Sequence, residues 1–379
     1  MKLSLFLVAS ILIGSTLGSP LYKRATPVYP QPGQTKGNGV LPPKLSKATY
    51  KGTLQYKNTK CVRDLGFTGV VNGQIVWTFG DTVGLLSNGT PQLGISATDS
   101  AALGDMNNPL NVYDHALDSN GWPSEWIPFD SSESEGASRW AEGGTNVVEY
   151  ATNKGLVWFL KNDRSSGQDS IVGAGVATVT AGSSGPKATR PDDTQWNNFE
   201  PMWGDIGVTY NSQDKNVYVF GHAPFTKSNL TGNVYLAKAP AAKALDVSSY
   251  QYWDEGNKAW TYTRFANGNL GTIDVSESQA IFKNREMGQS NAFWSNYYNT
   301  WMFVHGADVG YTDIMVKTAD KLEGPWTTSF TIASTCPNNK CSDIRYAIAP
   351  HPEFDPTGKT LLVTWTDSNQ IYAVTIEWE

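Results

Sequence analysis

The residues of this chain best suited to chemistry are carboxylates that recur at similar places ahead of short apolar runs. Arg63-Asp64 precedes one such run, Glu142 stands before Gly143-Gly144, Glu200 before Pro201, and Arg285-Glu286 before Met287-Gly288. The fifth equivalent, Arg345-Tyr346, carries no acid. Carboxylates gathered around one pocket cannot all stay ionised, so their pKa values are driven apart. That separation supplies a proton donor and an anionic partner in one site, which cleavage of a glycosidic bond requires. In a hydrolase built on this set, Glu200 or Glu142 is the expected general acid. Arg63 and Arg285 would tune the acids or hold substrate hydroxyls, with Glu286 beside them. Taken singly, each acid reads more simply as a rim charge or an arginine-paired structural group; the recurrence is what raises the set.

The stretch Trp77-Thr78-Phe79-Gly80-Asp81-Thr82 adds a further acid. An apolar strand ends there on a glycine, so Asp81 sits where the backbone can approach a ligand closely. Aromatics accompany these acids: Trp140 near Glu142, Trp196 and Trp203 around Glu200, and Trp122 and Trp126 in the long segment Thr98–Ser138. A sugar's C–H face packs on an aromatic ring while its hydroxyls need polar neighbours. Tryptophan is also a core residue, and about half of these five are expected to be structural. Segment Thr98–Ser138, poor in strand signals, is expected to form one wall of a cleft.

The elements that must position these residues are strands. From Ala48 onward, β-branched and aromatic runs of strand length alternate with Gly, Asn, Asp and Pro. Only Lys238–Leu245 has helix-forming composition, and Pro240 interrupts it. The runs group into five units, each a strand, a hairpin and further strands. Examples are Gly204–Asn211 with Val217–Gly221 and Asn233–Ala239, and Gly288–Ser295 with Trp301–Gly306 and Ile314–Ala319. Repetition of this kind predicts an all-β five-bladed β-propeller; a β-sandwich is the alternative that short strands at this spacing also suit.

Three stretches, Phe79-Gly80-Asp81-Thr82, Gly324-Pro325-Trp326 and the terminal Ala349-Pro-His-Pro-Glu-Phe-Asp355, resemble a family of secreted five-bladed propellers that includes bacterial endo-D-arabinanases. The resemblance spans roughly Tyr50 to Glu379. It implies hydrolysis of furanosidic linkages by a carboxylate pair, and makes Asp64 and Asp81 the leading candidates for nucleophile or base. Gly324-Pro325-Trp326 marks the fold and implies no catalytic role.

Lys2, an apolar run from Leu3 to Ile13 and small residues ending at Gly18 have the order of a secretory signal. The expected organisation is a signal over 1–18, a pro-segment over 19–24 ending at Lys23-Arg24, a Pro- and Gly-rich linker or arm over 25–47, and the propeller over 48–379. No later run reaches the roughly 20 apolar residues of a membrane-spanning helix. Asn88-Gly-Thr and Asn229-Leu-Thr are glycosylation sequons. Cys336 and Cys341 bracket a turn-forming stretch and are expected to form a disulfide, leaving Cys61 as a buried thiol or an intermolecular hazard.

A net charge of −6 argues against a nucleic-acid or anionic-membrane partner. No metal spacing, phosphate-cradling glycine loop or nucleophile elbow occurs. No cofactor is therefore expected, although the carboxylates leave room for a structural calcium ion. The composite expectation is a secreted, monomeric glycoside hydrolase acting on an extracellular or wall polysaccharide. The alternative is a non-catalytic carbohydrate-binding propeller, which should repeat its binding residues in every blade; these units do not.

Overall fold

The computed structural model describes residues 24–31, 41–167, 170–191, 193–224, 232–266, 273–283, 288–307, 313–342 and 344–379. It is an all-β five-bladed propeller, as the repeats predict. Blade one runs from its inner strand Cys61–Val71 through Gln74–Gly84, Ser100–Gly104 and Asn111–Asp114 to Gln55–Tyr56. Blade two is built on Lys154–Asp163, which pairs with an interrupted inner strand, Trp140–Gly144 and Val148–Ala151, and on its outer side with Ser170–Gly182. Blades three and four start at Met202–Asn211 and Asn291–Ser295.

Blade five orders Arg345–His351, Thr360–Asp367, Gln370–Trp378 and then Leu45–Thr53. The first long strand of the chain therefore pairs antiparallel with the last, from Leu45 opposite Trp378 to Thr53 opposite Tyr372. This pairing closes the ring and protects what would be two exposed strand edges. It begins at Leu45, inside the segment expected to be a linker or arm.

Within Thr98–Ser138 the described strands are Ser100–Gly104 and Asn111–Asp114 of blade one, in keeping with its few strand signals. Ala102 and Val112 alternate inward there and are fully buried, so packing against Trp77 and Ile75 orders a sequence whose polar residues conceal the pattern. Between blades, the cores are dominated by aromatics. Trp158, Trp203, Tyr235 and Tyr252 fill the space between blades two and three, and Trp365, Trp378 and Val363 that between four and five.

Residues 24–31 form an arm across three blades. Ala25 N–H donates to Gly73 O at 2.9 Å in blade one. Glu149 N–H donates to the Tyr29 hydroxyl at 3.1 Å in blade two. Ser212 and Gln213 of blade three donate to the carbonyls of Pro30 and Gln31, and Tyr29 meets Tyr210 edge-on at 5.0 Å. The contacts fall at the hairpin ends of the inner strands, away from the strand starts that carry Asp64 and Asp205. Tyr29→Ala is expected to lower stability by roughly 1–3 kcal/mol without altering any turnover the protein performs; a thermal melt beside an activity assay checks both.

Candidate active site

The start of each inner strand opens toward one mouth of the ring, where a cavity of about 190 Å³ lies. Asp64 and Asp81 of blade one, Asn162 and Arg164 of blade two, Asp205 of blade three and Gln289 ahead of blade four line it. Irregular strand geometry aims several of these groups. Pairing between Cys61–Val71 and Gln74–Gly84 shifts register between Arg63 and Leu65 and again between Leu65 and Phe67. The strand from Met202 shifts between Trp203 and Gly207, around Asp205, and the strand from Arg345 shifts just after Tyr346. A bulge inserts unpaired residues and turns a side chain out of the pleat. Leu65 and Ala347 adopt φ of 66° and 54° at two of these bulges, a conformation non-glycine residues hold only when the surroundings enforce it.

Asp64 and Asp81 face each other under different influences. Burial, with a smaller push from the neighbouring Asp81 charge, raises the Asp64 carboxyl to about 7, against the opposing pull of the Tyr346 hydroxyl, the Arg164 charge and the Asp81 backbone N–H. Tyr346 donates to Asp64 Oδ2 at 2.8 Å. Arg164 forks onto Asp81, donating at 2.9 and 3.2 Å to its two oxygens, a charge-assisted geometry that binds the ionised carboxylate and fixes its plane. One cavity thus holds a carboxyl raised well above the usual carboxylate range beside another that is paired with an arginine. Gly80 makes the approach feasible, since a Cβ there would stand 2.4 Å from Asp64 Oδ1.

Asp205 is held differently. Its Oδ1 accepts the His222 backbone N–H at 2.9 Å, and its Oδ2 lies 2.6 Å from His222 Nδ1. Gly143 of blade two, also lining the cavity, meets no atom within 4 Å of a notional Cβ, so that position borders open space.

Several expected site residues stand elsewhere. In the pleated strand Trp140–Gly144, Ala141 and Gly143 line the cavity, so Glu142 points the other way. There Arg190 donates to Glu142 Oε1 at 3.0 Å, and it also binds Glu133 and Asp193. Burial pushes Glu142 up to about 8 with Arg190 opposing, but the group is fully enclosed within blade two. Glu200 is likewise buried, gripped on both oxygens by Arg264 at 2.7 and 2.5 Å. Neither glutamate lines the cavity.

Arg63 does not line the cavity either. Fully buried, it donates to Asp114 Oδ2 at 2.8 Å and lies 4.4 and 4.2 Å from the Tyr56 and Phe79 ring centres. Trp203 is a core side chain packed on Tyr252, and cations of Arg139 and Lys161 sit over the Trp140 ring at 4.4 and 4.8 Å. Arg285, Glu286 and the sequon at Asn229 lie outside the described residues. Among the described residues no group of three or more His, Cys, Asp or Glu is arranged to hold a metal ion, and no helix is long and apolar enough to cross a membrane.

The cysteine expectations meet the structure directly. Cys336 and Cys341 are disulfide-bonded with Cα atoms 5.2 Å apart. Cys61 is a free, buried thiol whose sulfur accepts from Arg63 Nη2 at 3.1 Å, and burial raises its pKa. It is expected to resist a thiol-titrating disulfide reagent in the native protein and to react fully in denaturant; rapid native labelling would contradict this packing. Asn88 is exposed in a turn, its Oδ1 accepting from the Thr90 N–H at 3.0 Å and hydroxyl at 2.7 Å.

Sequence reasoning missed Asp205, His222 as its partner, Arg164, and Tyr346 as a ligand of Asp64. One signal was present: Gly204-Asp205 repeats the Gly80-Asp81 dipeptide at a strand irregularity. Gly104-Asp105 repeats it too, at an ordinary turn, so the signal alone does not discriminate.

No protein-family model matches the sequence, and no curated protein does. Solved structures do resemble it. A candidate hydrolase from Bacteroides ovatus ATCC 8483 is similar at 13% identity and TM-score 0.52, over 86% of each chain. An exo-β-1,3-galactanase from Phanerochaete chrysosporium, solved with β-1,3-galactotriose, is similar at 10% identity and TM-score 0.52, over 87% of this chain and 64% of that one. The chain thus spans less than two thirds of the galactanase's length. At these identities the likeness is one of fold, and the fold shared with a known glycan-cleaving enzyme is the five-bladed propeller.

Proposed function

We propose that this protein is a secreted glycoside hydrolase that cleaves furanosidic or related linkages in an extracellular or cell-wall polysaccharide. The observation that carries the reading is the Asp64–Asp81 pair: one carboxyl raised to about 7, the other forked by Arg164, both lining one cavity. In this reading Asp64 protonates the departing glycosidic oxygen. Asp81 supplies the opposing negative charge, attacking the anomeric carbon itself or drawing the proton from an attacking water. Asn162 and Gln289 offer amide groups to sugar hydroxyls, and Arg164 keeps Asp81 oriented through the reaction. The acid role expected for Glu142 or Glu200 passes to Asp64, because those glutamates are closed off.

The secretory order of the N-terminal residues, the Cys336–Cys341 disulfide and the exposed Asn88 turn support passage through an oxidising, glycosylating pathway. The test is incubation of the secreted protein with arabinans, galactofuranans and plant and fungal wall polysaccharides, followed by analysis of released oligosaccharides. Release that disappears in Asp64→Asn and Asp81→Asn supports the reading; retention of full activity in both removes it. Glycan binding without product from any member of the panel points to a lectin instead. The anomer first released reports whether Asp81 acts on carbon, with retention, or through water, with inversion.

A further inference from the structure

Beyond the cavity, at the same end of blade one, lies a second, wider hollow of about 520 Å³ lined by Trp122, Lys57, Lys60 and Asn120. Its floor is unusual in construction. The strand that carries Asp81 continues three residues, about 10 Å, to Gly84. The Trp122 ring lies flat on that glycine: a Cβ at Gly84 would stand 2.3–2.5 Å from ring atoms Cδ2, Cε2 and Cγ. The indole Nε1–H donates to Leu85 O at 3.3 Å. The backbone on the other side is fixed by Asp118, whose Oδ1 accepts the Trp122 N–H at 2.9 Å and whose N–H donates to Trp122 O at 2.8 Å. A large ring is thereby immobilised through one face and one edge while it remains only half-buried.

A core does not need such a residue, because a partly exposed tryptophan leaves apolar surface in water. A rigid aromatic plane bordered by lysine and amide groups suits a ligand with one apolar face and many hydroxyls, and its rigidity spares ordering entropy on binding. We infer that Trp122 is the platform of a distal sugar subsite, stacking a ring of the same polysaccharide chain whose linkage is cleaved in the cavity. The inference rests on reading the cavity as the cleavage site. It adds that the chain runs outward over blade one, with Lys57, Lys60 and Asn120 bonding the hydroxyls at the ring edge. It also assigns a reason for Gly84: any side chain there would displace the platform.

The test uses the full-length protein with Trp122→Leu, which keeps an apolar group on Gly84 without an aromatic face, and Trp122→Phe, which restores one. Arabino-oligosaccharides of increasing length and the soluble polysaccharides of the panel serve as probes, with electrophoretic retardation in polysaccharide-loaded gels as a readout independent of turnover. Trp122→Leu is expected to lose roughly tenfold in affinity for long chains, to leave the shortest cleaved oligosaccharide unaffected, and to raise KM with kcat unchanged. Trp122→Phe should recover most of the loss at the same melting temperature. Equal loss for short and long chains, or none for either, overturns the subsite. Retardation that depends on Trp122 with no glycan cleaved would uphold the platform while removing the hydrolase reading.

Discussion

Asp64→Asn is expected to abolish most turnover while making the folded protein more stable at neutral pH. The amide keeps the shape of the side chain and can still accept from Tyr346, so the cavity survives, but it has no proton to give. Loss of a positioned acid costs about 10²–10⁴-fold in rate. The stability effect follows from linkage. The carboxyl moves from 3.8 in the unfolded chain to about 7 in the fold. Below the unfolded value both states are protonated and ionisation contributes nothing. As pH rises from there toward 7, the unfolded chain releases its proton while the folded one retains it, so stability falls; above 7 the full penalty applies. Asparagine removes the penalty. Its melting temperature should exceed that of the native protein at pH 7.5, and the difference should vanish below about pH 4. Native kcat/KM should decline above about pH 7 as Asp64 loses its proton. An Asn variant that is both inactive and destabilised at pH 7.5 would assign Asp64 to the structure and leave the acid unidentified.

Part of this site is legible in the sequence and part is not. Propeller repeats are legible because every blade must bury two faces, which leaves apolar runs of strand length in each unit. Gly80-Asp81 stood out because a glycine ending an apolar strand is costly unless something approaches it, and here Asp64 does. Counting from strand starts misplaces Glu142, and strand irregularities upset the count elsewhere. Side chains alternate across a pleat, so an error of one residue exchanges cavity for core, and Ala141 and Gly143 took the places assigned to Glu142. Bulges then break the count itself at Asp64, Asp205 and Tyr346. A bulge depends on the partner strand's register, which no local pattern encodes. Arg345-Tyr346, read as the unit lacking an acid, turns out to complete the acid of another blade.

Arg63 provides the sharpest separation between the role its sequence position suggests and the one its surroundings impose. It neighbours Asp64, yet its guanidinium turns into blade one, stacks between Tyr56 and Phe79, and pairs with Asp114, whose side chain is as buried as its own. Thr59 donates a second hydrogen bond to the same Asp114 oxygen at 2.6 Å, and Ser100 and Cys61 accept from Arg63 at 3.2 and 3.1 Å. Removing one partner of a buried ion pair strands the other charge without solvent, at a cost of about 3–5 kcal/mol. Arg63→Ala should therefore be among the most destabilising single changes in the molecule. It should bring the Cys61 thiol within reach of labelling reagents at temperatures where the native protein is inert. The fraction that stays folded in the cold should keep its KM, because the guanidinium does not line the cavity. Unfolding monitored alongside initial rates at low temperature decides the matter: a raised KM at unchanged stability would return Arg63 to the substrate, whereas lost stability at unchanged KM fixes it as the girder behind Asp64.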